Sequence, residues 1–228
     1  MKHRLIIDNL HYVLVSDTGK RLLIDTGSPV SCAMKDCGAI VFGEKISETN
    51  AFSKIIESVN NSGLVAEPID ALIGMDILYG HRLVFDKNSH SIFIDEEVEE
   101  GVYEHTMDLE CIDLMGRCIC GKMTVNSEEV NAILDTGAWI PYLSAQYLAN
   151  VEACGDVQDY NPLLGTINTT KHNVTLCIGD ISTNVTVGKM PSLLEATLSI
   201  IGIDLVIGFD VLPSQKFCLD LTSNRLLF

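Results

Sequence analysis

Two aspartates in this 228-residue chain stand in matching places of a repeated pattern. Three apolar residues precede Asp25 and three precede Asp135, and a threonine and a glycine follow each aspartate. The pattern indicates a buried strand that delivers a carboxylate to a tight turn. A carboxylate in such a place is held by hydrogen bonds or kept protonated, and two of them side by side share one proton. One acid can then serve as a general base and the other as a general acid.

A pair of acids of this kind could hydrolyse an amide bond without a covalent intermediate. The ionised acid would take a proton from a water, the water would attack a carbonyl, and the protonated acid would donate. The adjacent glycines would let backbone amides approach the carboxylates, and the threonine hydroxyls could bond between the two copies. We therefore predict Asp25 and Asp135 as a catalytic dyad. The predicted supporting residues are Thr26, Gly27, Ser28, Thr136, Gly137 and Ala138.

The two copies differ after the glycine, where Ser28 stands in the first and Ala138 in the second. A hydroxyl that bonds to an ionised carboxylate lowers its pKa. We therefore expect Asp25 to carry the negative charge more often than Asp135, and an activity optimum at mildly acidic pH. A third Asp-Thr-Gly, at Asp17, has polar neighbours, which predicts a solvated turn without a catalytic role.

A second repeated segment connects the two halves of the chain. Residues 71–94 align without a gap to residues 205–228 at a constant offset of 134, and the alignment pairs Gly74 with Gly208. The two aspartates are offset by only 110, so the second copy has 24 more residues between its motifs. One unit therefore occurs twice with unequal loops.

Local patterns predict the elements that position these motifs. Residues 12–15 and 21–24 are typical of a hairpin, as are residues 173–178 and 184–187. Apolar residues at helical spacing predict a helix over residues 50–59, and Ser144 is a candidate N-cap for a short helix.

The doubled motifs, each with a later apolar-apolar-glycine segment (Leu72-Ile73-Gly74 and Val206-Ile207-Gly208), resemble the pepsin and retropepsin clan of aspartic peptidases. The segments look more like compact, single-chain retropepsin-like members than like pepsin. The resemblance implies a mainly β fold with two pseudo-twofold related, β-barrel-like lobes and a cleft between them. The lobes would be residues 1–98 and 99–228. Asp76 and Asp210 would then be helix N-caps rather than catalysts.

The resemblance also implies a flap over the cleft. Pepsin-like enzymes carry a flap tyrosine in the first lobe, but no tyrosine lies between Tyr12 and Tyr79 here. The second half has more residues for a cover, and we expect it near residues 163–167. Trp139 and Tyr142 are candidates for a substrate pocket, although packing alone would also explain a tryptophan after a core strand.

Composition excludes several classes of partner. The chain carries 31 acidic and 15 basic residues, a formal charge of −16, which disfavours nucleic acid and anionic membranes. The eight cysteines and six histidines lack metal-site spacing, so we expect no metal and no cofactor. Because no secretory leader is evident, we expect the cysteines to be free thiols. No transmembrane run or signal peptide is evident, which favours a cytoplasmic protein. The predicted partner is a protein or peptide substrate, and catalysis would not require dimerisation.

The sequence argues against two other classes of enzyme and leaves one other function open. The chain has no Gly-x-Ser-x-Gly elbow, and neither aspartate is flanked by the lysine and acidic cluster of a phosphoryl-aspartate enzyme. The alternative that remains open is a catalytically weak or inactive peptide-binding module on the same fold.

Overall fold

The computed structural model describes residues 1–46, 50–98, 101–113, 116–162, 164–212 and 214–228. The fold is mainly β. In chain order the strands are β1 Lys2–Asp8, β2 His11–Val15, β3 Arg21–Ile24, β4 Cys32–Ala33, β5 Ile40–Val41, β6 Glu44–Lys45, β7 Ala71–Ile73, β8 Arg82–Asp86, β9 Ser91–Ile94, β10 Thr106–Asp108, β11 Glu110–Asp113, β12 Arg117–Val125, β13 Glu128–Leu134, β14 Tyr142–Leu143, β15 Ala153–Asn161, β16 Gly165–Ile178, β17 Ile181–Lys189, β18 Leu205–Ile207, β19 Lys216–Asp220 and β20 Arg225–Leu227. The helices are α1 Asn50–Ser62, α2 Met75–Leu78 and α3 Ser192–Ser199, with 3₁₀ turns at Ala145–Leu148 and Phe209–Val211.

Two large sheets contain the same motif. In the first, β7 pairs in parallel with β3 and antiparallel with β4. In the second, β18 pairs in the same way with β13 and β14. The two strands that lead into Asp25 and Asp135 therefore each lie beside the apolar strand before a repeated glycine. This is the two-lobed acid protease fold.

The halves join through strands β8 and β19, which are equivalent by the sequence repeat. They pair antiparallel, and Val84 lies opposite Cys218, the residue 134 positions further along. A pair of equivalent residues at the centre of an antiparallel ladder is the signature of a local twofold axis. Aromatic rings pack on this ladder, with the rings of Phe85 and Phe217 stacked at 4.6 Å and Tyr12 edge-on to Phe85 at 5.0 Å. The repeated unit thus builds a shared core at its own symmetry axis.

Most of the elements predicted from sequence are present. Strands β2 and β3 form the first hairpin, β16 and β17 form the later one, and α1 begins at Asn50 and continues to Ser62. The gapless repeat is confirmed as β7, α2, β8 and β9 followed by β18, a 3₁₀ turn, β19 and β20. Ser144 precedes a 3₁₀ turn but makes no capping hydrogen bond. Among the described residues, no helix has the length and apolar character needed to cross a membrane.

The structure contradicts one prediction and leaves another untested. The prediction that Asp76 and Asp210 are N-caps is wrong, because Gly74 and Gly208 occupy those positions and each aspartate lies inside the first turn. The division into lobes at residues 98 and 99 stays a prediction. Residue 99 lies outside the described part of the chain, and strands β10, β19 and β20 share one sheet with the strands of the first half.

Candidate active site

Each predicted catalytic aspartate is positioned by the strand pair before it. The backbone amide of Asp25 donates to the carbonyl of Ile73 at 2.9 Å, and that of Asp135 donates to Ile207 at 2.8 Å. These bonds extend the parallel ladders by one residue and fix both acids at the ends of buried strands. Asp25 and Asp135 therefore occupy equivalent positions, one residue beyond β3 and β13.

The two carboxyl groups meet between the loops, each against the glycine of the other half. A Cβ atom added to Gly27 would lie 2.3 Å from Cγ of Asp135, and one added to Gly137 would lie 2.8 Å from Cγ of Asp25. No side chain fits at that distance, so both positions require glycine. The structure therefore brings together the two acids that the sequence separates by 110 residues.

A symmetric set of hydrogen bonds locks the loops together. The hydroxyl of Thr26 donates to the carbonyl of Leu134, and that of Thr136 donates to Ile24, both at 2.7 Å. Each threonine amide also donates to the hydroxyl of the other threonine, at 3.0 Å. Both side chains are fully buried, which makes these bonds costly to break. The threonines thus hold both acids in register, as predicted from their type and place.

Backbone amides hold the carboxylates unequally. Asp25 accepts from the amides of Gly27 and Ser28, both at 3.0 Å, whereas Asp135 accepts from Gly137 at 2.8 Å. The hydroxyl of Ser28 donates to the carbonyl of Val30 at 2.9 Å. It does not hold the Asp25 carboxylate, so the reason for expecting more charge on Asp25 is wrong. Ala138 lacks only a hydroxyl whose counterpart in the first loop bonds to backbone.

The surroundings raise the pKa of both acids, which favours one proton shared between them. Burial raises the pKa of Asp25 well above its ordinary value, and the negative Asp135 raises it further. Burial also raises the pKa of Asp135, but the Gly137 amide, the Asp25 carboxyl and the nearby His11 each lower it. Asp25 is thus favoured as the general acid and Asp135 as the general base. This is the reverse of the distribution expected from the sequence.

The repeated glycines have a packing role in the loops. A Cβ on Gly74 would lie 2.6 Å from the backbone of Val30, and one on Gly208 would lie 2.8 Å from the carbonyl oxygen of Ala138. Each glycine therefore lets the apolar strand pass directly under the loop that follows its aspartate.

The next aspartates of the repeat are held differently in the two halves. Asp76 accepts from the amide and hydroxyl of Ser31, at 2.8 and 2.6 Å. In the second half the residue at the place of Ser31 is Pro141, which has neither donor. Burial raises the pKa of Asp210, and Lys87 and His11 contribute the positive charges that oppose this rise. The second loop is thus supported by charge where the first is supported by a serine.

An apolar cleft of about 420 Å³ surrounds the dyad. Among the residues that line it are Leu23, Val30, Val59, Ile133, Ile167 and Val206. Both predicted pocket residues border the cleft. Trp139 is 39% exposed, and the buried Tyr142 donates its hydroxyl to Asp159 at 2.6 Å. The cleft can therefore enclose apolar side chains beside the two acids.

A hairpin from the second half reaches over this cleft. Strands β15 and β16 pair from Ala153 to the tip, where Asn161 lies opposite Gly165. Asn161 and Pro162 of the tip line the cleft together with both acids. The side-chain hydroxyl of Tyr160 bonds to that of Ser58 in α1 of the first half. The described part of the expected cover, residues 164–167, belongs to this hairpin; Leu163 lies outside the described residues.

Two further sequence predictions concern residues outside the dyad. Asp17 of the third Asp-Thr-Gly is exposed in the turn between β2 and β3, apart from the cleft. No group of three metal-ligating side chains occurs among the residues that the structure describes. Sequence reasoning missed His11, which lines the cleft and contacts the second loop. A single histidine at the start of a strand carries no motif that would have identified it.

Comparisons with known proteins support the fold. No protein-family model matches the sequence, and no curated protein is similar to it in sequence. The whole chain superposes on the aspartic proteinase from Irpex lacteus (TM-score 0.52, 13% identity, 100% of this chain and 96% of that chain) and on Basic 7S globulin from soybean (0.51, 8%, 100% and 94%). A partial match relates 40% of this chain to 11% of the foamy viral protease-reverse transcriptase, at 17% identity and TM-score 0.33. Similarity at these identities establishes the fold alone.

Proposed function

We propose that this protein is an aspartic endopeptidase whose dyad is Asp25 and Asp135. The observation that carries the proposal is the meeting of two buried carboxyls, each packed against the glycine of the opposite loop. A fold alone has no need for two like-charged acids at one buried point, because the arrangement destabilises the ionised pair. A shared proton at that point is what water activation requires.

In the proposed reaction Asp135 is the base and Asp25 the acid. Asp135 takes a proton from a water held between the carboxyls, and the resulting hydroxide attacks the carbonyl carbon of the scissile amide. Asp25 donates its proton to the carbonyl oxygen, which gives a tetrahedral gem-diol. Asp135 then gives its proton to the nitrogen and the C–N bond breaks. A hydroxyl of the gem-diol returns its proton to Asp25 as the carboxylic acid forms, so both carboxyls regain their starting states. No covalent intermediate and no cofactor enter this scheme.

The proposed substrate is a protein or peptide bound in extended form. The apolar lining of the cleft favours apolar side chains on both sides of the scissile bond, since their burial removes apolar surface from water. The β15–β16 hairpin supplies strand-like backbone above the cleft, which suits an extended peptide below it. A single chain supplies both acids, so the proposal does not require a dimer.

The test is hydrolysis of an unfolded protein or a peptide library by the full chain. We expect Asp25→Asn and Asp135→Asn each to lower kcat by about 10²-fold or more, because each removes a proton-transfer group. Asp17→Asn is the matched control, since it makes the same change in the exposed Asp-Thr-Gly. Its activity should equal that of the wild type.

A second candidate function is peptide binding without hydrolysis. The whole-chain likeness to a soybean globulin gives it a specific basis. If the wild type binds peptides but its turnover equals that of both dyad variants across acidic and neutral pH, the peptidase proposal is wrong and the binding module is favoured. Turnover that disappears only in the dyad variants would exclude the binding module.

A further inference from the structure

A second cavity adjoins the cleft that surrounds the dyad. It has a volume of about 610 Å³ and shares Leu64, Trp139, Asp159 and Tyr160 with the cleft. The turn between β1 and β2 and the end of α1 line it from the first half, and the β15–β16 hairpin lines it from the second. A peptide bound in the cleft can therefore continue into this cavity, which we call the adjoining pocket.

The sequence repeat identifies the equivalent place in the other half of the molecule. Val13 of β2 and Cys120 of β12 pair with residues of β3 and β13 that correspond at the offset of 110. Strands β2 and β12 therefore correspond at an offset of 107, which is 120 minus 13. At this offset the counterpart of Asn9, which lines the adjoining pocket, is Gly116.

The two equivalent places are built differently. At the offset of 110 between the loops, Pro29 is the counterpart of Trp139. A Cβ atom added to Gly116 would overlap Cβ of Pro29, so the turn between β11 and β12 packs directly on the first loop. Asn9 and Trp139, by contrast, line an open cavity. Contact thus closes one of the two equivalent places, and the adjoining pocket occupies the other.

The turn that borders the pocket holds a leucine in an unfavourable conformation. Asp8 pairs with His11, so Asn9 and Leu10 form a two-residue hairpin turn, in which their φ angles are +47° and +71°. Asn-Gly is the usual pair in such a turn, because a leucine is strained at positive φ. Leu10 is also 43% exposed. Burial within the protein does not offset its strain, which favours a role for its side chain in binding.

The aromatic and acidic groups of the pocket favour a cation. Trp139 is 39% exposed, and an accessible indole face attracts cationic groups. The Asp159 carboxylate accepts from the Tyr142 hydroxyl at 2.6 Å and from the Tyr160 amide at 2.7 Å, two neutral donors that leave its charge uncompensated. No lysine or arginine is among the described residues that line the pocket. A guanidinium group suits this setting, because it can stack on an indole and bond to a carboxylate.

Two amide side chains add acceptors to the pocket. Asn9 donates to the carbonyl of Gly63 at 3.3 Å, and Gln158 donates to the side-chain oxygen of Asn168 at 3.1 Å. Each bond directs the NH₂ group to the protein and leaves the amide oxygen to accept from a ligand. The formal charge of −16 also attracts a cationic segment to the protein surface. The pocket therefore matches the five N–H donors of an arginine side chain.

We propose that the adjoining pocket is a recognition site for an arginine side chain of the peptide substrate, at a distance from the scissile bond. The guanidinium group stacks on Trp139 and bonds to Asp159, and Leu10 and Leu64 contact the methylene groups of its stem. Because contact closes the equivalent place, the arginine is recognised on one side of the scissile bond. This inference rests on the proposed function and names its substrate class: an extended peptide with an apolar pair at the scissile bond and an arginine further along.

The first experiment measures binding in the full-length Asp25→Asn protein, so that hydrolysis does not interfere. The probes are peptides of equal length that have a central apolar pair and one arginine, lysine, leucine or glutamate moved along either side. Trp139 is the only tryptophan of the chain, so its fluorescence reports on the pocket itself. Arginine peptides should change this emission and bind about tenfold more tightly than leucine peptides, with the arginine on one side only. Lysine should bind less tightly than arginine, and glutamate should be disfavoured.

The second experiment compares three variants of this protein. Asp159→Asn keeps an acceptor for the Tyr142 hydroxyl but removes the charge, so the arginine preference should fall below about twofold. Asp156→Asn is the matched control, because it makes the same change at an exposed position of β15 that does not line the pocket. It should keep the preference. Tyr142→Phe removes the hydroxyl contact and keeps the charge, and it should also keep the preference.

Each outcome decides the inference. Equal affinity for arginine and leucine peptides would overturn it, as would Trp139 emission that is unchanged on binding. Loss of the preference in Asp156→Asn, or in Tyr142→Phe as fully as in Asp159→Asn, would show that the carboxylate acts through the structure of the hairpin and would also overturn it. A wild type that cleaves none of the peptides, while Asp25→Asn still selects arginine, would refute the peptidase and leave the recognition site. Cleavage that is indifferent to arginine would refute the recognition site and leave the peptidase.

Discussion

At the scale of single residues, the site is a balance between burial and hydrogen bonding of two acids. Burial raises the pKa of both acids. The backbone amides of Gly27, Ser28 and Gly137 oppose this rise, and the Asp25 carboxyl and His11 also oppose it at Asp135. The glycines allow the carboxyls to approach, and the threonines prevent the loops from separating. Neither loop can relax away from the other without breaking fully buried hydrogen bonds.

The raised pKa of Asp25 predicts that this residue destabilises the fold at neutral pH. Above the ordinary value of 3.8 the unfolded chain has released this proton, while the folded protein still holds it. Stability due to this group therefore falls as pH rises from 3.8 towards the raised value. Asp25→Asn keeps the acceptor for both amides and removes the titration. We expect its Tm to exceed that of the wild type at pH near 7, by about 2–4 °C per kcal/mol relieved.

Thermal unfolding at several pH values measures this effect. The gain should vanish below pH 3.8, where both the folded and the unfolded wild type are protonated at this position. Asp17→Asn, in the exposed turn, should show no gain at any pH. A Tm for Asp25→Asn that is lower than that of the wild type at neutral pH would contradict the raised pKa.

The residues of the dyad and its immediate support were predictable, whereas their partners were not. Asp25, Asp135 and the threonines stand in a doubled motif whose chemistry limits what they can do. His11 has no such context, since its role depends on a carbonyl 126 residues away. The hydroxyl of Ser28 was assigned to the wrong partner because a sequence does not reveal which of two nearby acceptors a short side chain meets.

At the scale of elements, the two halves supply different walls to the cleft. The first half contributes the helix α1, whose Ile55 and Val59 line the cleft, and the second contributes the β15–β16 hairpin. The hydroxyl contact between Tyr160 and Ser58 connects these two elements across the opening. The longer spacing in the second half of the sequence predicted a cover there, but not that a helix would meet it.

The contact between Tyr160 and Ser58 predicts a latch that affects substrate binding. Tyr160→Phe and Ser58→Ala each remove one hydroxyl, and a hydrogen bond of about 1 kcal/mol corresponds to about a fivefold rise in KM. The double variant should be no worse than either single variant, because both changes remove the same bond. Steady-state kinetics and hydrogen exchange over residues 153–161 measure the effect.

A matched control for the latch is Tyr147→Phe, in the 3₁₀ turn Ala145–Leu148. The hydroxyl there faces Asp204 rather than the cleft, so KM and exchange in the hairpin should not change. Additive effects of the Tyr160 and Ser58 variants would show that the two hydroxyls act separately, and the latch would be wrong.

At the scale of the whole molecule, a duplicated sequence has become a single body with one shared sheet. The gapless repeat of 24 residues was visible in the sequence because its packing leaves little room for change. The pairing of β8 with β19 was not visible in the sequence, because neither strand carries a pattern that indicates which strand it pairs with. The N-cap prediction for Asp76 and Asp210 failed for a related reason. Gly74 and Gly208 are required under the loops, and each is the N-cap of its turn. The turns therefore begin two residues before Asp76 and Asp210.

The sheet shared by the two halves contains an ion pair that we expect to stabilise the folded protein. Arg82 of β8 donates from Nε and Nη2 to the buried carboxylate of Asp220 in β19, both at 3.1 Å. Burial opposes this charge, but hydrogen bonds from Thr222, Ser223 and Arg82 lower the pKa of Asp220 below its ordinary value of 3.8. Stability from this group is therefore present above pH 3.8 and is lost as pH falls through the lowered value.

We accordingly expect Asp220→Asn to reduce the free energy of unfolding by about 2 kcal/mol at neutral pH, because it leaves a charged donor poorly paired inside the interface. The matched control is Asp86→Asn, which changes the carboxylate opposite Lys216 in the same ladder. Asp86 is more exposed, so its loss should be below about 1 kcal/mol. Denaturant unfolding at neutral and acidic pH tests both, and the deficit of Asp220→Asn should narrow in acid. Equal losses for the two variants would mean that the Arg82–Asp220 pair does not stabilise the β8–β19 pairing between the halves. The aromatic packing around Phe85 and Phe217 would then be what stabilises this pairing.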